Sequence, residues 1–191
     1  IKEMANIISI RQKSPKGLGH AVHMAKSVVG DEPFAVLLGD EITLRKNGKS
    51  QALEQLLTIH ESTKLSTVGV MPVAPSEVSK YGIVGGKEEK PGLLKVSEMV
   101  EKPSPDEAPS HFALPGRYVF ETEIFREIEK SKPGKNGEIQ LTDAMHRLSQ
   151  AEGLYAYVLD AHRFDAGDKM GFLMATIDIA LDHPELGGKF K

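Results

Sequence analysis

The sequence contains no cysteine, and this absence excludes disulfide bonds and thiolate zinc sites. It is consistent with a cytoplasmic protein, because structural disulfides belong to oxidising compartments. The sequence also lacks any run of 18 apolar residues, so nothing indicates a transmembrane helix. The formal net charge of −3 gives no global basic field for nucleic acid. Neither a membrane nor a nucleic acid is therefore expected as a partner.

The length and hydrophobic content predict one domain. A chain of 191 residues with 40% hydrophobic residues can bury one sizeable core. The first residue is Ile1 rather than Met, and no signal-peptide pattern follows it. We expect either a processed N-terminus or a longer chain that has been cut.

The most informative stretch is the apolar run 34–38, which Gly39 closes and Asp40 and Glu41 follow. Such a short continuous run predicts a fully buried strand of a parallel sheet. Ligands in open α/β sheets collect beyond the carboxyl ends of strands, so Asp40 could meet a metal ion or a phosphate there. The alternative is that Asp40 caps a turn, and the motif alone leaves both interpretations open.

A glycine- and lysine-containing loop, 13–20, precedes a helix with apolar residues at helical spacing that ends at Gly30. Residues 7–11 before it are predicted to form a strand that leads to Gln12. Free amides and the helix dipole at such a loop favour an anionic ligand. As a lone signal this pattern is weak, because many glycine-lysine loops are only solvated turns.

The middle of the chain contains a hairpin pattern. Residues 81–86 and 93–100 are predicted as antiparallel strands joined by a charged turn with a Pro-Gly pair. Glu101, Lys102 and Pro103 follow the second strand. This triplet is either an ordinary device for ending an edge strand or an acceptor and a cation delivered into a cleft.

The C-terminal part repeats the pattern of a carboxylate at a strand-to-helix junction, with Asp165 beside Gly167. The last helix, 170–181, is predicted to pack into the core through an apolar stripe at helical spacing. Strands and helices alternate over most of the chain, which is typical of βαβ units. The predicted fold class is therefore α/β, with a mixed, mainly parallel sheet and helices on both faces.

Several of these motifs, in their order along the chain, resemble the bacterial UTP–glucose-1-phosphate uridylyltransferases, or UDP-glucose pyrophosphorylases. The resemblance covers nearly the whole chain and rests on the segments 11–12, 16–21, 39–41, 81–82, 100–103, 116–118, 138–143 and 165–169. It implies a Rossmann-like nucleotidyltransferase fold. It also implies transfer of the uridylyl group from UTP to glucose 1-phosphate, which gives UDP-glucose and pyrophosphate.

The resemblance also implies roles for individual residues. Gln12 would read the uracil edge, and the backbone at Gly17 would approach the nucleotide. Asp40 would hold Mg²⁺ on the phosphates, with Asp165 as a second carboxylate on the metal side. The expected roles on the sugar side are contacts of Gly82 and Glu101 with the glucose hydroxyls and of Lys102 with a phosphate. Asp40 and Lys102 are thus the expected catalytic residues.

One departure from the family pattern concerns the nucleotide. The family begins with a glycine-rich loop carrying Gly-Thr-Arg and then a lysine, and no segment of this sequence matches it. We therefore expect 1–191 to be a single nucleotidyltransferase domain that lacks its N-terminal nucleotide-loop segment and is inactive alone. A homo-oligomer remains open.

Three alternative functions remain. A thymidylyltransferase of the same fold would use a similar site. The missing loop would suit a non-catalytic sugar-nucleotide-binding module. The third alternative is a structural α/β domain whose glycines only form turns.

Overall fold

The structure is a computed structural model that describes residues 4–45, 51–134 and 137–190. Its strands within these ranges are β1 Phe34–Leu37, β2 Glu41–Arg45, β3 Thr67–Pro72, β4 Gly82–Lys90, β5 Leu93–Glu101, β6 Phe112–Ala113, β7 Arg117–Phe120, β8 Tyr155–Val158 and β9 Ala161–Asp165. Its α-helices are α1 Leu18–His23, α2 Lys26–Val29, α3 Ala52–Thr63, α4 Glu123–Glu129, α5 Leu141–Ala151, α6 Lys169–Asp182 and α7 Gly187–Phe190, and a 3₁₀ helix spans Pro75–Lys80.

Seven strands form one mixed sheet in the order β1-β7-β3-β6-β4-β5-β8, and β3 also pairs with β8. The predicted α/β class, with a mixed sheet and helices, is confirmed. The expectation of mainly parallel pairing is wrong for the described strands, because only β3 and β8 run parallel. The predicted hairpin is confirmed as β4 and β5, whose strands reach closer to the Pro91-Gly92 turn than the sequence indicated.

The main core lies between the sheet and helices α1, α4 and α5. Phe120, Ile124 and Met145 are completely or almost completely buried in this cluster. All four residues of β7 are buried, so both faces of that strand are covered, and α3 packs against β3 and β7. Burial of these apolar side chains contributes most of the stability, at about 25 cal/mol per Å².

Strand β1 differs from its prediction in two respects. It pairs antiparallel with β7, with Phe34 opposite Phe120, and among the described strands it has no second neighbour. Phe34 stacks on Phe125 at 4.9 Å between ring centroids, whereas Ala35 and Leu37 on the other face are exposed. The strand itself is confirmed, but its direction and full burial were predicted wrongly.

Two further expectations are wrong. Residues 7–11 form no strand in the described structure, and Ile7 and Ile8 are exposed. Helix α6 is present, but Met170, Leu173, Met174 and Ile177 of its predicted core stripe are exposed. Only Ala175 of α6 is buried, because within the described residues the helix packs mainly against β9 and α7.

A separate two-stranded ribbon, formed by β2 and β9, carries one wall of the site. The strands are antiparallel, with Glu41 opposite Asp165. Neither was predicted as a strand. No helix in the described ranges combines the length and the apolar character needed to cross a membrane.

Candidate active site

A cleft of about 340 Å³ lies where the ribbon, the β4–β5 hairpin and the start of α5 meet. Five of the predicted site residues line it: Asp40, Gly82, Glu101, Lys102 and Asp165. These residues are far apart in the sequence. Gln12 and Gly17 are not among the lining residues, although Leu18, directly after Gly17, is one of them. The volume falls within the range of small-molecule sites.

The ribbon wall holds two carboxylates against Gly167. The Oδ1 atom of Asp165 and the Oδ2 atom of Asp40 lie 3.1 and 3.5 Å from the point that a Cβ would occupy on Gly167. The backbone N–H of Ala166 donates to the carbonyl of Asp40 at 2.7 Å, so a main-chain hydrogen bond joins the two segments. Among the described residues, the Asp40 carboxylate itself accepts no hydrogen bond, and it faces the cleft free to bind a ligand.

Glu41, the neighbouring acid, is occupied differently. Its carboxylate receives the Nε–H of Arg163 at 2.7 Å and a second, short hydrogen bond from Nη2. Burial raises the pKa of Glu41, and the hydrogen bonds and charge of Arg163 oppose that rise. Arg163 also donates to the hydroxyl of Tyr81 at 3.2 Å and lies over its ring. Glu41 therefore serves to hold Arg163 between the two walls.

The opposite wall comes from the hairpin and α5. The hydroxyl of Thr142 donates to Oε2 of Glu101 at 2.6 Å, which orients the carboxylate. A Cβ on Gly82 would lie 2.9 Å from the Thr142 hydroxyl and 3.0 Å from Oε2 of Glu101, so glycine is required by space. The backbone of Lys102 has a φ of 46°, a left-handed conformation that residues other than glycine rarely adopt.

Tyr118 contributes a phenol to the cleft from β7. The residue is only 3% exposed, yet its hydroxyl makes no hydrogen bond within the described parts of the chain. Burial raises the pKa of Tyr118, and the charges of Glu101, Glu41 and Asp40 add to the rise. The hydroxyl therefore stays protonated and remains available as a donor to a bound ligand.

The loop before α1 is tied to the segment before α5. The N–H of Gly19 donates to the carbonyl of Ile139 at 2.9 Å, so this amide is not free to bind an anion. Gly17 has a φ of 94° and packs so closely on Ile139 that a Cβ would lie 2.8 Å from its carbonyl. The amide of Gln12 donates to the carbonyl of Gly17 at 3.3 Å and lies 2.6 Å from Nδ1 of His20. Because the amide nitrogen donates, Nδ1 is the acceptor.

The charges around the cleft determine what it can bind. Five carboxylates line it (Asp40, Glu41, Glu101, Glu138 and Asp165), together with two lysines, Lys80 and Lys102. An anionic ligand would be repelled by this surface unless a cation accompanied it. The arrangement therefore suits a phosphate compound bound together with a metal ion.

Sequence reasoning missed several residues that shape the site. Thr142 was part of a motif without a role, and nothing in the residue order pairs it with Glu101. Arg163 could have been found, because strand alternation places it on the same face as Asp165 once 161–165 is recognised as a strand. Tyr118 likewise had no assigned role.

A mixed α/β sheet with a polar cleft beyond its strand ends is an architecture that typically binds small ligands. The chain belongs to the nucleotidyl transferase family, whose pattern matches residues 2–180. It is 42% identical over 189 residues to a UTP–glucose-1-phosphate uridylyltransferase of Staphylococcus epidermidis. That match covers 99% of this chain and 65% of the relative. The chain thus spans about two thirds of the length of such relatives.

Solved structures agree with this assignment. The UTP-bound UGPase from Acinetobacter baumannii is similar with a TM-score of 0.88 and 36% identity, covering 100% of this chain and 65% of that one. A UDP-glucose pyrophosphorylase complexed with UDP-glucose is similar with a TM-score of 0.84 and 38% identity, covering 87% of this chain and 63% of that one.

Nucleotidyl transferases generally use a divalent metal ion. Within the described ranges, no group of three or more acidic or histidine side chains could hold a metal alone. A pair of carboxylates such as Asp40 and Asp165 is nevertheless what Mg²⁺ usually receives from a protein, because substrate phosphates and water complete its shell. Oδ1 of Asp165 accepts the N–H of Gly167 at 3.0 Å, and its Oδ2 accepts from Arg163 at 3.3 Å. The ribbon wall therefore fits such an ion mainly through Asp40, whose carboxylate accepts no hydrogen bond within the described ranges.

Proposed function

We propose that the protein transfers the uridylyl group of UTP to glucose 1-phosphate and releases pyrophosphate. The observation that carries this proposal is the convergence of Asp40, Glu101 and Lys102 on one cleft. The names of the relatives and the ligands of the similar structures support it. Because the chain spans only part of those relatives, the activity is proposed for the protein encoded by the complete gene. The lack of cysteine is in keeping with action in the cytoplasm.

On the nucleotide side, we assign Gln12 to the base. Its amide nitrogen is held by Gly17 and His20, while its carbonyl oxygen has no hydrogen bond among the described residues. That oxygen can accept from N3–H of uracil. Gly17, whose backbone lies next to Gln12, would bring the loop close to the nucleotide.

On the metal side, Asp40 and Asp165 would hold Mg²⁺. Held there, the ion would supply positive charge against the negative charge that gathers when the sugar phosphate attacks the α-phosphorus in line. Lys102 would bind a phosphate oxygen and contribute to the same offset. The cleft has no need of a covalent protein nucleophile, because positioning and charge stabilisation suffice for this reaction.

On the sugar side, Glu101 would accept hydrogen bonds from glucose hydroxyls, in the orientation that Thr142 gives it. Gly82 leaves room for the sugar ring beside this carboxylate. Tyr118, with its protonated and unpartnered hydroxyl, would donate to the same ligand.

The test is a steady-state assay of the protein from the complete gene with UTP, Mg²⁺ and glucose 1-phosphate, with pyrophosphate release as the readout. Asp40→Asn should lower kcat by about 100-fold or more, since it removes a charge that stabilises the transition state through the metal. A rate within a few-fold of wild type would contradict the metal role of Asp40.

A thymidylyltransferase is the second candidate, because thymine carries the same N3–H that Gln12 would bind. Comparing kcat/KM for UTP and dTTP in the same assay separates the two. A sugar-nucleotide-binding module without catalysis would instead show heat on titration with UDP-glucose but no pyrophosphate release.

A further inference from the structure

Arg117 is a buried cation beneath the turn that carries Asp40. Arg117 is 6% exposed, and its guanidinium makes no ion pair within the described residues. Isolated buried charges are costly, so arginine at this place requires a compensating interaction. Burial lowers the pKa of Arg117, while the nearby charges of Glu41, Tyr118 and Asp40 act in the opposite direction.

The donors of Arg117 all go to main-chain carbonyls around the turn. Nη1 donates to the carbonyls of Leu38 and Gly116, each at 3.1 Å, and Nη2 makes a short hydrogen bond to the carbonyl of Glu41. The carbonyls of Leu38 and Glu41 bracket the segment that contains Asp40. The N–H of Leu38 donates in turn to Gly116 at 3.1 Å.

This arrangement requires the shape of a guanidinium. A planar fork can reach carbonyls on both sides of the turn at once, whereas the ammonium of a lysine donates from a single point. Within the turn, the N–H of Glu41 donates to the carbonyl of Leu38 at 3.3 Å, and the carbonyl of Asp40 accepts the N–H of Ala166 at 2.7 Å. From outside the turn, two elements therefore hold the conformation at Asp40: β7 through Arg117, and the end of the ribbon through Ala166.

We propose that Arg117 is a positioning residue that fixes the Leu38–Glu41 turn and thereby aims the Asp40 carboxylate at the metal ion. It contacts neither substrate nor metal. The proposal rests on the proposed function in assigning Asp40 to the metal, but its test does not depend on turnover.

The test uses the protein from the complete gene and Mn²⁺ as a spectroscopic probe for the divalent site. Free Mn²⁺ is measured by electron paramagnetic resonance during titration in the presence of UTP. Arg117→Lys should weaken Mn²⁺ binding by about 10- to 100-fold, the usual effect of removing a group that orients a metal ligand. The same variant should lower kcat, with the KM for glucose 1-phosphate changed less than about twofold, because the sugar wall is separate.

Arg147→Lys is the matched control. Arg147 also donates to a main-chain carbonyl, that of Glu127 at 3.0 Å, and to the hydroxyl of Ser131, but it lies outside the cleft. The Arg147→Lys substitution should lower the thermal midpoint without changing Mn²⁺ binding or kcat. Asp40→Asn, the direct loss of the ligand, sets the scale for the largest expected effect.

Hydrogen exchange provides a second readout that needs no catalysis. In Arg117→Lys, exchange should become faster in peptides covering 36–41 and at Ala166, while the β4–β5 hairpin keeps its protection. If Arg117→Lys does not fold, Arg117→Gln, which keeps an amide donor without the charge, takes its place.

The outcomes separate the possibilities. Wild-type Mn²⁺ binding in a folded Arg117 variant would overturn the proposal, as would failure of both variants to fold, since that would show a general structural role. Absence of uridylyl transfer by the wild-type protein would contradict the proposed function alone. In that case a weaker Mn²⁺ affinity in Arg117→Lys would still support the positioning role.

Discussion

A side chain at Gly82 would crowd the hairpin wall of the cleft. We predict that Gly82→Ala raises the KM for glucose 1-phosphate at least tenfold, because the new methyl group must displace Glu101 or Thr142 and break their 2.6 Å hydrogen bond. Overpacking of this kind typically costs about 1–3 kcal/mol. Steady-state kinetics and thermal unfolding measure the two effects. Gly188→Ala is the control, since a Cβ there meets nothing within 4 Å.

Two substitutions of Lys102 separate its contribution to catalysis from its effect on the stability of the fold. Both Lys102→Ala and Lys102→Gly should lower kcat by about 100-fold, because each removes the ammonium that offsets phosphate charge. The glycine variant should be more stable than the alanine variant by about 1 kcal/mol, because the φ of 46° is strained for any side chain. Chemical denaturation measures this difference. Equal stabilities of the two variants would show that the backbone at position 102 leaves the left-handed conformation when lysine is replaced.

At the scale of residues, single site residues could be predicted from the sequence more readily than the groups to which they hydrogen-bond. Asp40, Glu101, Lys102 and Asp165 could be selected because the motifs that contain them resemble, in their order along the chain, those of a known family. The hydrogen bonds of Thr142, Arg117 and Arg163 could not be predicted, because each joins segments whose proximity depends on the tertiary fold. The roles of the selected residues remain predictions.

At the scale of elements, one exposed carboxylate on α4 joins that helix to both α1 and α2. Glu129 lies 3.0 Å from Nε2 of His23 and 2.6 Å from Nζ of Lys26. Hydrogen bonds from His23 and Lys26 lower the pKa of Glu129 to about 2. A lowered pKa in the folded state adds stability that is complete above the ordinary value of 4.5 and is lost as pH falls toward 2.

We therefore predict that Glu129→Gln reduces the loss of thermal stability between pH 4.5 and pH 2. The difference from wild type should be largest at low ionic strength, because solvent and salt screen an exposed pair. Thermal midpoints across this pH window measure it. Glu61→Gln, at an exposed glutamate on α3, serves as the control. An unchanged pH profile in Glu129→Gln would contradict the assigned pairing.

Elements were predicted from periodicity with uneven success. The β4–β5 hairpin and the helices α3 to α5 follow from turn residues and apolar spacing. The direction of β1 could not follow, since a short apolar run indicates burial but not the orientation of its partner. The ribbon was missed because its strands are polar and only half-buried. The apolar face of α6 predicted a core contact, yet in the described structure that face is exposed.

At the scale of the whole molecule, a ligand that bridges both walls should stabilise the fold. UDP-glucose with Mg²⁺, at about 100 times its Kd, should add about 2.7 kcal/mol to the free energy of unfolding. For a domain of this size that corresponds to roughly 5–10 °C in Tm. Differential scanning fluorimetry measures the shift. Addition of EDTA, or the Asp40→Asn substitution, should remove its metal-dependent part, and a shift insensitive to both would contradict a metal bridge.

The β2–β9 ribbon has a mechanical consequence for the cleft. A main-chain hydrogen bond from Ala166 to Asp40 joins the two carboxylate-bearing segments at the ribbon's end, and Arg163 donates from the ribbon to Tyr81, directly before β4. Asp40 is also held to β7, because Arg117 donates to the carbonyls of Leu38 and Glu41 on either side of it. The spacing between the two carboxylates is therefore set by the sheet as well as by the ribbon, and we expect it to stay constant while the cleft fills and empties.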